Sequence, residues 1–182
     1  MERNKNFFSL QMIVEGGIML ALAYVLNMFK LYTMPQGGDI SLSMLPIMIF
    51  AIRWGGIQGF ILGILYGILK LIVDPYVIHP AQLILDYPLP SAFVGLSGIS
   101  FLKDKKEFRG YLPMIVIAYA LKFVAHYLSG LIFFPQYAPK GMSPAYYSFI
   151  YNITYLGPEL LIFIVVIAVL WNPLKNVLVK QK

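Results

Sequence analysis

The chain has 182 residues, of which 59% are hydrophobic and 12% charged, with mean hydropathy +0.75; soluble domains average roughly 45–50% apolar and about 25% charged. That balance excludes an ordinary water-exposed fold, and with no polar linker it predicts one membrane domain over residues 1–182. The net charge of +6 invites a nucleic-acid reading, and the absence of cysteine rules out disulfides, thiolate metal sites and cysteine nucleophiles.

The placement of the cations answers the nucleic-acid reading. Six apolar segments run over roughly 7–30, 40–52, 57–73, 80–102, 111–134 and 144–170. An even number of spans leaves Arg3, Lys5, Arg53, Lys103, Lys105, Lys106, Arg109, Lys175, Lys180 and Lys182 on one side, with Lys30 and Lys140 on the other. Such asymmetry is what membrane insertion produces, and it predicts both termini in the cytoplasm of a multi-pass cell-membrane protein with no polyanionic partner. The expected fold is an all-α bundle of six transmembrane helices.

Residues 7–30 form a helix of spanning length, given the roughly 20 residues a bilayer core requires. The segment lacks a convincing small-x-small cleavage site and outruns a signal-peptide core, so it is expected to stay as the first helix. The apolar run 40–52 is short and contains Pro46, which makes it either a tilted, kinked helix or a partial insertion. Gly55, Gly59, Gly63 and Gly67 place a smooth stripe on the third helix, a pattern that suits close helix packing. They make no nucleotide loop, because no Gly-Lys-Ser/Thr ending and no preceding strand accompany them. Pro75 and Pro80 bound a loop or re-entrant turn. The fourth helix then carries Gln82, Asp86 and Tyr87, with Pro88 and Pro90 expected to kink it and free backbone carbonyls. Helix five contains Lys122, His126, Ser129, Gly130 and Phe134; helix six contains Tyr146, Tyr147, Tyr151, Asn152, Tyr155 and Glu159.

Ionisable and amide groups are expensive in hydrocarbon, so they face a cavity or one another and mark a site. Asp86, His126, Tyr147 and Asn152 all fall toward the same side of the membrane. His126, Gly130 and Phe134 share one helix face, with Gly130 leaving a gap between imidazole and ring. Tyr147 and Asn152 lie about 140° apart on an ideal helix, and Asp86 and Tyr87 about 100°, so their convergence depends on local geometry. Together they offer an anion, a switchable imidazole, an amide and ring faces, a set suited to a flat, nitrogen-rich organic cation. Other readings stay open: Asp86 pairing with Lys70 or Lys122, His126 as a satisfied interior histidine, and the aromatics as an interfacial belt. Glu159 could brace the bundle, and Glu15 could reach the interface.

Several ordered motifs carry a family resemblance over nearly the whole chain. They are Pro35-Gln-Gly-Gly-Asp39 with Met44-Leu-Pro-Ile47, His79-Pro-Ala-Gln-Leu-Ile-Leu-Asp-Tyr87, His126-Tyr-Leu-Ser-Gly130, and Tyr137-Ala-Pro-Lys-Gly141 with Tyr147-Ser-Phe-Ile-Tyr-Asn152. They resemble the thiamine-specific substrate-binding (S) component of energy-coupling factor (ECF) transporters. The resemblance implies a six-helix protein that captures thiamine from outside and holds it with Asp86, His126, Tyr147 and Asn152. Tyr76, Tyr87 and Gly130 match further pocket positions, and Phe134 a stacking position. The turn 34–39, with Gly37 and Gly38, matches a lid. Some relatives carry glutamate at Asp86, tryptophan at Phe134 and an aromatic residue at Gly37. The resemblance further implies no cofactor, with ATP used only by partners: a transmembrane coupling subunit and two cytoplasmic ATPase subunits. Gly17 and Ala21, small residues on one face of helix one, match the docking motif; contact within the bundle is the alternative.

Two other classes compete. A stand-alone proton-coupled carrier of thiamine or another vitamin would use Asp86, Glu159 and His126 as a relay. A membrane enzyme is disfavoured, since no His-Glu-x-x-His cluster occurs and neither histidine has a serine or cysteine partner at motif spacing. No catalytic or metal-binding residues are therefore assigned.

Overall fold

The computed structural model describes residues 8–102, 104 and 106–179. Helix α1 (Leu10–Met28) starts where Ser9 Oγ accepts the Met12 N–H at 3.2 Å, satisfying one of the free donors of the first turn. Its 19 residues rise about 28 Å, close to the thickness of a bilayer core. One side of α1 packs inward through the buried Gly16 and Ala23, while Gly17 and Ala21 lie on the exposed side. Among the described residues no atom outside the helix's own turns lies within 4 Å of the place a Cβ would take at Gly17, so contact within the described bundle does not account for that glycine.

The chain then doubles back through strands β1 (Lys30–Thr33) and β2 (Asp39–Ser41), an antiparallel hairpin that pairs Tyr32 with Ile40 and Thr33 with Asp39. This hairpin is an addition to the helical bundle. The β-prone run Leu31-Tyr32-Thr33 and the turn residues Pro35, Gly37 and Gly38 account for it. Gly37 sits at φ +94°, where a side chain would clash with the backbone.

Helix α2 (Leu45–Trp54) carries Pro46 in its first turn, a position whose N–H has no helical partner anyway. Pro46 therefore starts the helix rather than kinking it. The ten residues of α2 rise only about 15 Å and cannot cross a bilayer alone. Gly55, at φ +115°, turns the chain into α3 (Gly56–Val73). The glycine stripe is thus Gly59, Gly63 and Gly67, with Gly55 serving as the corner.

The fourth segment is broken outright. Helix α4 (Pro80–Asp86) ends at Tyr87, and α5 (Pro88–Gly95) begins on the next residue, followed by a 3₁₀ turn at Leu96–Gly98. Pro88 has no N–H to give, so the helical hydrogen bonds of α4 end with the Tyr87 N–H on the Leu83 carbonyl and the expected kink becomes a break. His79 caps α4, its Nδ1 accepting the Ala81 N–H at 3.1 Å. The glycines of α3 let the broken pair lie against it backbone to backbone. A Cβ at Gly59 would strike the Gly95 carbonyl, one at Gly63 the Ser91 carbonyl, and one at Gly67 the backbone of Tyr87 and Pro88.

Helices α6 (Leu112–Phe133) and α7 (Pro144–Leu178) complete the bundle. Helix α7 continues past the expected end at 170 and spans 35 residues, about 52 Å of rise and well beyond a bilayer core. Among the described residues, α1, α3, α6 and α7 are long and apolar enough to cross a membrane. The remaining two of the six helices are the short α2 and the divided α4 and α5. Buried Ile47, Met48, Tyr66, Ile115 and Phe163 form the centre of the core.

One end of the bundle gathers Arg53, Lys106, Arg109 and Lys175. Arg53 bonds Glu15 through Nε at 2.6 Å and Nη2 at 2.9 Å and also reaches the Val177 carbonyl. Trp54 donates to Glu15 at 2.7 Å, and Trp171 to the Lys106 carbonyl at 2.8 Å. Glu15 thus clamps α1 to α2 rather than simply reaching an interface. Arg3, Lys5, Lys103, Lys105, Lys180 and Lys182 lie outside the described residues.

The contrast between two glycines is testable by thermal unfolding in detergent. Gly63→Ala is expected to destabilise the protein by about 1–3 kcal/mol, the range for overpacking. Gly17→Ala is expected to leave stability unchanged or raise it by under about 1 kcal/mol, the helix-propensity gain.

Candidate ligand-binding site

At the end of the bundle opposite the Arg53 clamp, the helices enclose a cavity of about 410 Å³, within the range of small-molecule sites. Its walls follow from the four-residue period of two helices. Lys122, His126, Gly130 and Phe134 descend one face of α6 and its C-cap, and Tyr147, Tyr151, Tyr155 and Glu159 one face of α7. Gln82 and Asp86 enter from α4, and the β1–β2 turn closes the outer side.

Asp86 is the chemical centre. Its Oδ2 accepts hydrogen bonds from Gln82 Nε2 and Ser129 Oγ, both at 2.7 Å, and its Oδ1 lies 3.2 Å from His126 Nδ1. A carboxylate there accepts the Nδ1–H, and the Nε2 edge of the His126 ring is left for another partner. The two lysines are engaged elsewhere. Lys70 pairs with Asp39 at 3.2 Å and Lys122 with Glu159 at 2.6 Å. The expected alternative of Asp86 pairing with either lysine is therefore not realised. Among the described residues Asp86 is the cavity carboxylate whose partners are amide, hydroxyl and imidazole rather than lysine or arginine.

All eight residues singled out from the sequence line this one cavity, and so do Gly37 and Gly38. Tyr87, the residue at which α4 gives way to α5, lines the cavity beside Asp86. Its hydroxyl accepts the Tyr76 N–H at 2.7 Å and donates to the Asp74 carbonyl at 3.1 Å, bracing the α3–α4 loop. Tyr76 stacks on Phe134 with centroids 6.0 Å apart, and its hydroxyl meets that of Tyr137 at 3.1 Å. That hydrogen bond, with a smaller contribution from burial, pushes the Tyr76 phenol upward. Asn152 donates to the Ser148 carbonyl at 2.8 Å and accepts from Tyr155 Oη at 2.9 Å, which fixes its amide orientation. The gap expected at Gly130 is occupied, since a Cβ there would strike Ser148 Oγ. Glycine at this position lets α7 approach α6.

The outer turn is tied to α7. Tyr151 Oη accepts the Gln36 N–H at 3.1 Å and the Gly38 N–H at 3.4 Å, and Tyr147 Oη donates to Gln36 Oε1 at 3.3 Å. At the hairpin base, burial alone would raise the Asp39 carboxyl, but the charge and hydrogen bond of Lys70 hold it below its ordinary value. Tyr151, Tyr155, Ser129, Gln82 and the two lysine pairs were not assigned to the site from sequence. The signal that would have found most of them is the same i, i+4 spacing that linked His126 to Gly130.

Comparisons with known proteins agree over most of the chain. A family model described as Thiamine transporter protein (Thia_YuaJ) matches residues 13–179. Thiamine transporter ThiT of Bacillus subtilis (strain 168) is 33% identical over 182 residues, covering 93% of this chain and 95% of that protein. The structure of ThiT from Listeria monocytogenes superposes with TM-score 0.81 at 25% identity, covering 94% of this chain and 98% of that one. A structure titled as the S component of a bacterial ECF transporter shares the fold, with TM-score 0.59 at 19% identity over 91% of this chain and 98% of that chain. On these grounds the chain belongs to the thiamine transporter protein family.

Proposed function

We propose that this chain is the thiamine-capturing S component of an ECF-type uptake system. The observation that carries the reading is Asp86, a carboxylate surrounded by neutral donors in a cavity walled by aromatic rings. Thiamine joins an aminopyrimidine to a permanently cationic thiazolium, so it brings the charge that the cavity lacks. His126, Tyr147 and Asn152 hydrogen-bond the pyrimidine edge, and Phe134 stacks on the ring. Asp86 supplies the counter-charge or binds the pyrimidine amine, and aromatic faces add cation–π attraction of about 0.5–2 kcal/mol each. The turn 34–39 is the lid of this pocket.

The relay required by a proton-coupled carrier is less well supported. Glu159 is committed to Lys122 and His126 to Asp86, and among the described residues no hydrogen bond joins the two pairs. Energy then comes from partners: a membrane coupling subunit that docks on the exposed Gly17 and Ala21 face of α1, and two ATPases that alone use ATP. The cavity opens to the exterior and both termini face the cytoplasm, as the basic end formed by Arg53, Lys106, Arg109 and Lys175 supports.

Calorimetric titration of the detergent-purified protein should show binding of thiamine and not of riboflavin or biotin. Asp86→Asn should weaken thiamine binding by roughly ten- to hundredfold, the loss of one charge-assisted hydrogen bond; undiminished affinity would remove the carboxylate from the mechanism. Replacing Gly17 and Ala21 together by tryptophan should abolish cellular uptake while leaving thiamine titration unaltered. Normal uptake by that variant would move the docking face off α1.

A further inference from the structure

The turn over the cavity has two unequal attachments. Its base is held by the Asp39–Lys70 ion pair at 3.2 Å, with Asp39 buried. Its tip, Gln36 to Gly38, is closed within the turn by the Met34 N–H on the Gly38 carbonyl at 2.6 Å and the Gly37 N–H on the Met34 carbonyl at 3.2 Å, and it rests on α7. There one atom does most of the holding: Tyr151 Oη accepts N–H groups from Gln36 and Gly38, at 3.1 and 3.4 Å. The left-handed backbone of Gly37, φ +94°, aims these two flanking N–H groups the same way, a concave donor arrangement that ordinarily receives an anion or a strong acceptor. The Tyr147–Gln36 contact, at 3.3 Å, joins two side chains and does not hold the backbone of the tip to α7. Gly38 lies flat against the Tyr155 ring, where a Cβ would come within 2.8 Å of a ring carbon.

We propose that Tyr151 is the latch of the lid, a positioning residue whose hydroxyl gathers the backbone of the tip and so sets how long a ligand stays in the cavity. The inference rests on the thiamine-binding reading for the identity of that ligand. A phenol oxygen suits the task because it accepts two hydrogen bonds without carrying charge, so the tip is released without exposing an ion to the cavity. Breaking the latch leaves the ion pair at the base in place, and opening is confined to the turn.

The test compares wild type with Tyr151→Phe, which keeps the ring contacts with Tyr147 and Tyr155 and removes only the acceptor. Association and dissociation of radiolabelled thiamine are measured in detergent, together with hydrogen exchange at the Gln36 and Gly38 amides in the ligand-free protein. The expected result is dissociation faster by roughly tenfold, the fold-change of about one net hydrogen bond, with association altered by less than about twofold. Exchange at those two amides rises while exchange in α6 and α7 stays constant. Unchanged dissociation with unchanged amide exchange overturns the proposal. If wild type fails to retain thiamine, the ligand reading fails and the exchange measurement still decides the latch. Should Tyr151→Phe lose its cooperative thermal transition, Gly38→Ala decides instead. Its methyl group lifts the tip off Tyr155 and should give the same fast dissociation, and slow dissociation from that variant counts against the latch.

Discussion

A carboxylate between helices is costly unless donors or cations surround it, and the arrangement at Asp86 solves that problem without a cation. Gln82, Ser129 and His126 each direct a hydrogen bond at it from α4 and α6. The carboxylate is solvated by protein donors with no lysine or arginine among its partners. A lysine in the same place would have filled the need and left nothing for a ligand to do. The pairing of Lys70 with Asp39 and of Lys122 with Glu159 is therefore as important to the site as Asp86 itself, since it keeps both ammonium groups away. Removing one partner from such a buried pair leaves an uncompensated charge, and here the stranded lysine would compete for Asp86.

The helix break at Tyr87 lies in the wall of the cavity, and the hydroxyl of that residue holds the α3–α4 loop at Tyr76 and Asp74. A broken helix exposes backbone polar groups at membrane depth, tolerated only beside protein or a wet cavity. The glycines of α3 supply the protein side. Gly63 and Gly67 bring its backbone against Ser91, Tyr87 and Pro88 so closely that lipid is excluded. The stripe and the prolines are thus two parts of one device.

The sequence carried much of this in plain form. Hydropathy located the long helices, and the expense of polar groups in hydrocarbon picked out Asp86, His126, Tyr147 and Asn152 before any coordinates. What it carried less plainly depended on partners distant along the chain. Nothing local to Lys122 says that Glu159 lies across from it, and Pro88 reads as a kink or a break depending on what packs behind it. The hairpin was hidden by its brevity, since strands of four and three residues leave no periodicity to detect. Tyr151 was visible only as one ring in a row, because its role depends on two backbone N–H groups more than a hundred positions away.

The same row on α7 serves the site at three depths. Tyr147 and Tyr151 reach outward to the turn, Tyr155 and Asn152 brace the wall, and Glu159 anchors Lys122 at the floor. A helix is a stiff rod over this length, so the turn, the wall and the floor are held in fixed relation by one element. Pro158 lies between Tyr155 and Glu159 and gives no N–H to the turn before it. Pro158 is exposed and α7 runs through it without interruption. On the cavity side the helix passes within one turn from the hydroxyl and ring of Tyr155 to the Glu159–Lys122 ion pair. One face of one helix therefore carries both the aromatic wall and the charged floor of the site.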